Sequence, residues 1–246
     1  RKESSAASDV YKRQEQDKLC ALVIIGVNER GQKQFLAIED GVRESTQSWR
    51  EVLLKLKSRG MNVPQLAIGD GAMGFWAAMD EVYPQTRQQR CWVHKTANIL
   101  NSLPKSSQPK AKEAIHQIWQ AETKINAEKA FELFIGTYQD KYPKATLSLQ
   151  KDREELLAFY DFPAKHWQSI RTSNPIESTF GTIRHRTKRA KGCLNRDGML
   201  HMMFKLGQCA EKNWRKLRGF DYLAKVIEGV KFSDGIEVIP EIRIAA

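Results

Sequence analysis

The sequence predicts an α/β protein whose strand-and-helix core is interrupted by an all-helical insertion. Three observations carry this. Apolar runs and amphipathic helical stripes alternate between Leu19 and Val93. From residue 96 to residue 170 the periodicity is helical, with no strand pattern. Strand signals return only in the tail, between Phe232 and Ile244.

The elements follow in order. Residues 1–14, RKESSAASDVYKRQ, are polar, rich in Ser and Ala, and without a sustained period. They read as a flexible or foreign leader, such as a junction scar. Leu19 to Val27 is a nearly unbroken apolar run, hence a buried strand. Asn28-Glu29-Arg30-Gly31 is a turn, and Phe35 to Ile38 is a second strand, making a hairpin. Ser45 to Arg59 is a helix with Trp49, Val52, Leu53 and Leu56 on one face and Gly60 as its stop. Leu66 to Ile68 is a short buried strand, followed by a helix over Ala72 to Val82 and a strand over Gln88 to Val93. Helices are then expected over Lys110 to Gln120, Ala127 to Tyr138 and Tyr142 to Tyr160. A last long helix carries Met199, Met202, Met203, Leu206 and Ala210 at helical spacing, a stripe read as core. The expected organisation is a leader at 1–14, a core at 15–95, a helical insertion at 96–170 and completion of the core at 171–246.

Charge narrows the function. Lys and Arg outnumber Asp and Glu by 40 to 29 in 246 residues, a net +11. A polyanionic partner fits, and so does a solvated basic surface. The cations also cluster: six fall between Glu81 and Glu113 and six between Glu177 and Asp197, with no acid in either block. No apolar run approaches the ~18 residues of a membrane span. Cys20, Cys91, Cys193 and Cys209 are widely spaced, which disfavours a disulfide framework and suits a reducing cytoplasm.

Two carboxylates stand out. Asp70, in Ile68-Gly69-Asp70-Gly71, follows a strand, where open α/β sheets present functional groups. Asp-Gly is equally a simple turn, with Asp70 capping the next helix. Glu177 lies in Asn174-Pro175-Ile176-Glu177, which has the form of a capping box. The same helix aligns Glu177, Gly181, Arg184 and Lys188 on one face, beside a stripe of Ile176, Phe180 and Ile183. A carboxylate, a gap and then cations suit a metal ion and a phosphate backbone. Cys91 and His94 have Cys-x-x-His spacing. They could begin a zinc site that lacks a second pair, form a buried thiol with a bonded imidazole, or organise the active site locally.

The run from Leu19 to Lys231 resembles the catalytic region of mutator-type transposases of bacterial insertion sequences. The marks, in order, are Ile68-Gly69-Asp70-Gly71 with Gly74-Phe75-Trp76, then Gln89-Arg90-Cys91-Trp92-Val93-His94-Lys95. They continue with Thr172-Ser173-Asn174-Pro175-Ile176-Glu177-Ser178-Thr179 and Arg184-His185-Arg186-Thr187. The resemblance implies an RNase H-like mixed sheet flanked by helices, with the helical insertion lying between two catalytic acids. It implies an Asp-Asp-Glu triad holding two Mg ions, with Mn as a substitute. Asp70 matches the second Asp and Glu177 the Glu; Cys91, His94 and Asn174 match signature positions. The family's first Asp would lie upstream of Asp17-Lys18-Leu19, where this chain has Ser4-Ser5-Ala6-Ala7-Ser8. Asp9 is nearby but lacks strand neighbours. The chain therefore reads as an N-terminally truncated transposase whose start is unrelated sequence.

The implied activity is metal-dependent DNA cleavage and strand transfer. Arg90, Lys95, Arg184, Arg186, Lys188 and Arg189 would position the phosphates of element-end and target duplexes. A homo-oligomer in the bacterial cytoplasm, associated with the nucleoid, is the expected setting. The alternatives are an inactive DNA-binding relic and another RNase H-like nuclease.

Overall fold

A computed structural model describes residues 20–41, 45–173, 181, 183 and 196–239. It shows an α/β protein of mixed strand pairing. Strands β1 (Cys20–Val27) and β2 (Lys33–Gly41) form the expected antiparallel hairpin, with an irregularity at Ile24/Ile25. Asn28 shapes the turn: its Oδ1 accepts from the N–H groups of Arg30 (3.1 Å) and Gln32 (2.9 Å). Helix α1 (Thr46–Ser58) starts where Ser45 Oγ accepts from Ser48 N–H, and it buries Trp49, Val52, Leu53 and Leu56. Its exit passes through Gly60 at φ 91°.

Strand β3 (Leu66–Gly69) pairs in parallel with β4 (Arg87–Arg90), and helix α2 (Met73–Val82) makes the crossover. Among the described residues no ladder joins this pair to β1–β2, so the strands form separate two-stranded sheets. Both pairs nevertheless contribute to one core, built on Leu22, Trp49, Val52, Leu53, Ala78, Met79, Val82 and Tyr83. Alternation along β3 sends Ala67 to this core, while Leu66 and Ile68 pack on a second one. Strand β3 is thus shared by two cores.

The second core is helical. Helices α3 (Trp92–Leu100), α4 (Gln108–Gln120), α5 (Lys124–Tyr138), α6 (Pro143–Gln150) and α7 (Arg153–Leu157) gather Trp92, Ile99, Ile115, Ile118, Phe131, Phe134, Leu149 and Phe159. Two 3₁₀ turns and helix α8 (Trp167–Ile170) follow. One boundary differs from the expectation. The apolar Cys91-Trp92-Val93 extended the predicted strand to Val93, but β4 ends at Arg90 and Trp92 opens a helix. Tertiary contacts override the local pattern here: Trp92 N–H donates to Arg171 O and the Trp92 indole donates to Leu156 O.

Helix α9 (Arg196–Glu211) packs on β2. Gly207 lies against the Phe35 ring, and Phe35 N–H donates to Glu211 Oε2 (3.1 Å). The methionine stripe is half-buried. Helix α10 (Leu223–Ile227) leads to the short hairpin β5 (Phe232–Ser233) and β6 (Ile236–Glu237). Its turn residue Asp234 accepts from Lys124 N–H at the start of α5 (2.6 Å). Residues 240–246 of the expected tail hairpin lie outside the described residues, as does the leader. Among the described residues no helix is long and apolar enough to cross a membrane.

His166 ties the 3₁₀ segment to the chain after α9 through Nε2 and Gly219 O (2.8 Å). Burial holds this imidazole below the ordinary histidine pKa of 6.5, with the Gly219 bond opposing the shift. The unfolded chain therefore binds the proton more readily. His166 leaves stability undiminished above pH 6.5 and subtracts from it as pH falls below that value. Urea midpoints measured from pH 8 to pH 5 should fall more steeply for the native chain than for His166→Gln. Equal slopes would refute this.

Candidate functional site

Parallel pairing brings the two strand ends together. Gly69 is opposite Arg90, and Cys91 N–H extends the ladder by donating to Gly69 O (2.9 Å). The sequence-predicted Asp70 therefore stands beside Arg90-Cys91. Its carboxylate is exposed, and Oδ1 accepts from Ala72 N–H (3.1 Å). That bond makes a local Asx turn; the N-cap residue of α2 is Ala72, which offers no side-chain cap. One carboxylate oxygen is thus spent locally, and the group remains open to solvent. Gly71 is required next to it: φ is 102°, and the Arg90 guanidinium occupies the space of a would-be Cβ. Gly69 likewise admits Trp76 and Phe75 of α2 against the strand end.

Arg90 and Lys95 were expected to position DNA phosphates. The structure corrects this. Arg90 is 9% exposed and Lys95 only 1%. Both meet Asp152, which lies between α6 and α7: Lys95 Nζ donates to Oδ2 at 2.7 Å, and Arg90 Nε lies 2.9 Å from the same oxygen. The Arg90 contact is ionic and lacks hydrogen-bond alignment. Burial lowers the Lys95 pKa below the ordinary lysine value, and the bond and charge of Asp152 pull it back. Asp152 was not singled out from sequence, because Gln150-Lys151-Asp152-Arg153-Glu154 has the composition of a solvated connection.

Cys91 and His94 come together around Ser173. The Ser173 N–H and Oγ both contact Cys91 Sγ at 3.2 Å, and Ser173 Oγ lies 3.3 Å from His94 Nδ1. Cys91 is buried, and among the described residues no group of three or more His, Cys, Asp or Glu is placed to hold a metal. The arrangement is a buried thiol and an imidazole joined through Ser173, and it holds the chain entering the Thr172-Ser173 motif. Arg171 anchors the same segment, with Nη1 donating to Trp119 O (2.6 Å) and the guanidinium stacked 4.8 Å from the Trp119 ring.

Asp9, Asn174, Glu177, Arg184, Arg186, Lys188 and Arg189 lie outside the described residues. Two neighbours of Glu177 in sequence are described. Gly181 is helical, exposed and faces open space, and Ile183 is helical and buried. These are the faces that helical spacing assigned to them.

The described site is thus an exposed strand-end carboxylate beside a clamped Cys-x-x-His pair, in a basic α/β protein. Comparison with known proteins gives the family. The model described as "Transposase, Mutator family" matches residues 9–216. The transposase for insertion sequence element IST2 of Acidithiobacillus ferrooxidans is 57% identical over 223 residues, spanning 90% of this chain and 75% of that protein. The transposase for insertion sequence element IS6120 of Mycolicibacterium smegmatis is 48% identical over 223 residues, spanning 91% and 69%. That for IS905 of Lactococcus lactis subsp. lactis is 33% identical over 172 residues, spanning 70% and 44%. The chain belongs to the Mutator family of transposases.

The shared carboxylate has a measurable consequence. Asp152→Ala leaves two buried cations uncompensated and should cost about 3–5 kcal/mol of stability. Denaturant midpoints check this; a loss under about 1 kcal/mol would mean that other groups balance Arg90 and Lys95.

Proposed function

We propose that this transposase cuts DNA at insertion-sequence ends and joins the freed ends to a target, in a metal-dependent reaction on an RNase H-like core. The observation that carries the reading is Asp70: an exposed carboxylate at the carboxyl end of a strand, bonded through one oxygen only to its own turn, in a family of transposases. The pairing of an antiparallel hairpin with a parallel β-α-β unit around one core supports the RNase H-like reading of the fold.

The donor chemistry fits a hard divalent cation such as Mg or Mn, which takes carboxylate oxygens and keeps several waters. Asp70 would hold it together with Glu177. When bound, two such ions would activate the attacking oxygen and neutralise charge on the leaving one. The remaining steps belong to the DNA and the chain. A water oxygen attacks the phosphorus at the element end; the P–O3′ bond breaks, and the strand leaves with a 3′-hydroxyl. That oxygen then attacks a target phosphorus and displaces a second 3′-oxygen, so no bond forms to the protein. Arg184, Arg186, Lys188 and Arg189 hold the phosphate backbone by charge, without reading sequence. Double-stranded DNA is the partner, and action on two paired ends calls for a multimer working at the bacterial nucleoid.

Labelled element-end DNA with Mg or Mn provides the test. Asp70→Asn and Glu177→Gln should each lower cleavage by about 10³-fold or more, equivalent to several kcal/mol of lost transition-state stabilisation, with DNA affinity retained. Binding without cleavage by the native chain would replace this reading with that of a DNA-binding relic. Cleavage without strand transfer would point to a nuclease. Lys188→Ala should weaken binding to all sequences alike and flatten the log–log salt slope by about 0.9. An unchanged slope would remove Lys188 from the phosphate contacts.

A further inference from the structure

Arg90 does more than neutralise Asp152. Its guanidinium lies directly against the turn that carries Asp70: a Cβ built on Gly71 would fall 1.2 Å from Nη1 and 1.8 Å from Cζ. Its Nε lies 2.9 Å from Asp152 Oδ2. One planar group therefore meets two segments far apart in sequence, the Asp70-Gly71 turn and the junction of α6 and α7. The turn's own side-chain hydrogen bond is local. Asp70 is flanked by two glycines, and its hydrogen bond is to a residue two positions on. Helix α7 is in turn locked to the end of β4, with Leu156 O accepting from Gln89 Nε2 (3.2 Å) and from the Trp92 indole (2.8 Å).

We propose that Arg90 is a positioning residue. It sets the place of the Asp70 turn, and Asp152 keys that setting to the helical region. A flat guanidinium can support the turn on one edge while meeting a carboxylate on another; a lysine ammonium is a point charge and cannot. Burial separates this role from phosphate binding, since the Arg90 side chain is only 10% exposed and directed inward to Asp152. The importance of the turn rests on the proposed function; its dependence on Arg90 does not.

Hydrogen exchange followed peptide by peptide, together with DNA binding and cleavage, tests the proposal in the full chain. In Arg90→Lys, amides at residues 69–74 should exchange about tenfold faster, while peptides from β1–β2 and α4–α5 keep their native rates. The DNA dissociation constant should stay within about twofold and cleavage should fall by about 10²-fold, the size expected of a misplaced reacting group. Asp152→Glu, which keeps the charge, should stay nearer the native chain. Three outcomes would overturn the proposal. The first is unchanged exchange at 69–74. The second is a uniform rise along the chain, which would make Arg90 a general stabiliser. The third is a loss of DNA affinity equal to the loss of cleavage, which would make it a phosphate contact. If the native chain does not cleave DNA, the proposed function fails, while the exchange measurement still decides the role of Arg90.

Discussion

Arg90 and Lys95 are largely removed from water, and both meet the carboxylate of Asp152. Charges in such a place persist only when paired, so the junction of α6 and α7 is obliged to lie over the end of β4. Much of the architecture follows from this demand. Helix α7 packs on β4, Gln89 and Trp92 bond to its Leu156 carbonyl, and the helical core is brought against Leu66 and Ile68 of β3. A parallel strand pair too short to be stable alone is thereby held between two cores.

The same corner gathers the candidate site. Register in the β3–β4 ladder places Gly69 opposite Arg90, so both strands finish at one edge, with Cys91 N–H bonded to Gly69 O. On one side Arg90 abuts the Asp70 turn; on the other Cys91 and His94 hold Ser173. The family's acidic motif and its Cys-x-x-His motif are thus neighbours through backbone pairing, and the chain leading into Asn174-Pro175-Ile176-Glu177 is fastened at Ser173. The hydrogen bonds to Cys91 Sγ are weak individually, but they are buried, which raises the cost of breaking them.

Elements with a clean period were legible in advance. Helix α1 carries its cap, its buried face and its glycine stop in the sequence, and the structure places each where the pattern put it. The β1–β2 hairpin was equally clear, because Asn28 and Gly31 encode the turn chemistry locally. Errors arose where partners distant in sequence decide. Cys91-Trp92-Val93 has strand-like composition, yet Trp92 is drawn into a helix by Arg171 and Leu156. Arg90 and Lys95 looked like surface cations because their carboxylate lies in another part of the chain, at position 152. The methionine stripe showed which face of α9 turns inward, but not how much would cover it.

By itself the sequence determined the α/β alternation, the helical stretch from residue 96, the basic character and the ordered motifs that mark a Mutator-family transposase. Each of these is a local property of spacing or composition, and local properties survive in one dimension. Only the tertiary structure decided that Asp152 joins Arg90 to Lys95, that Ser173 closes on Cys91 and His94, and that Arg90 lies against Gly71. Those contacts depend on burial and register across long chain separations, where a charge that reads as solvated in sequence becomes one that must find its partner.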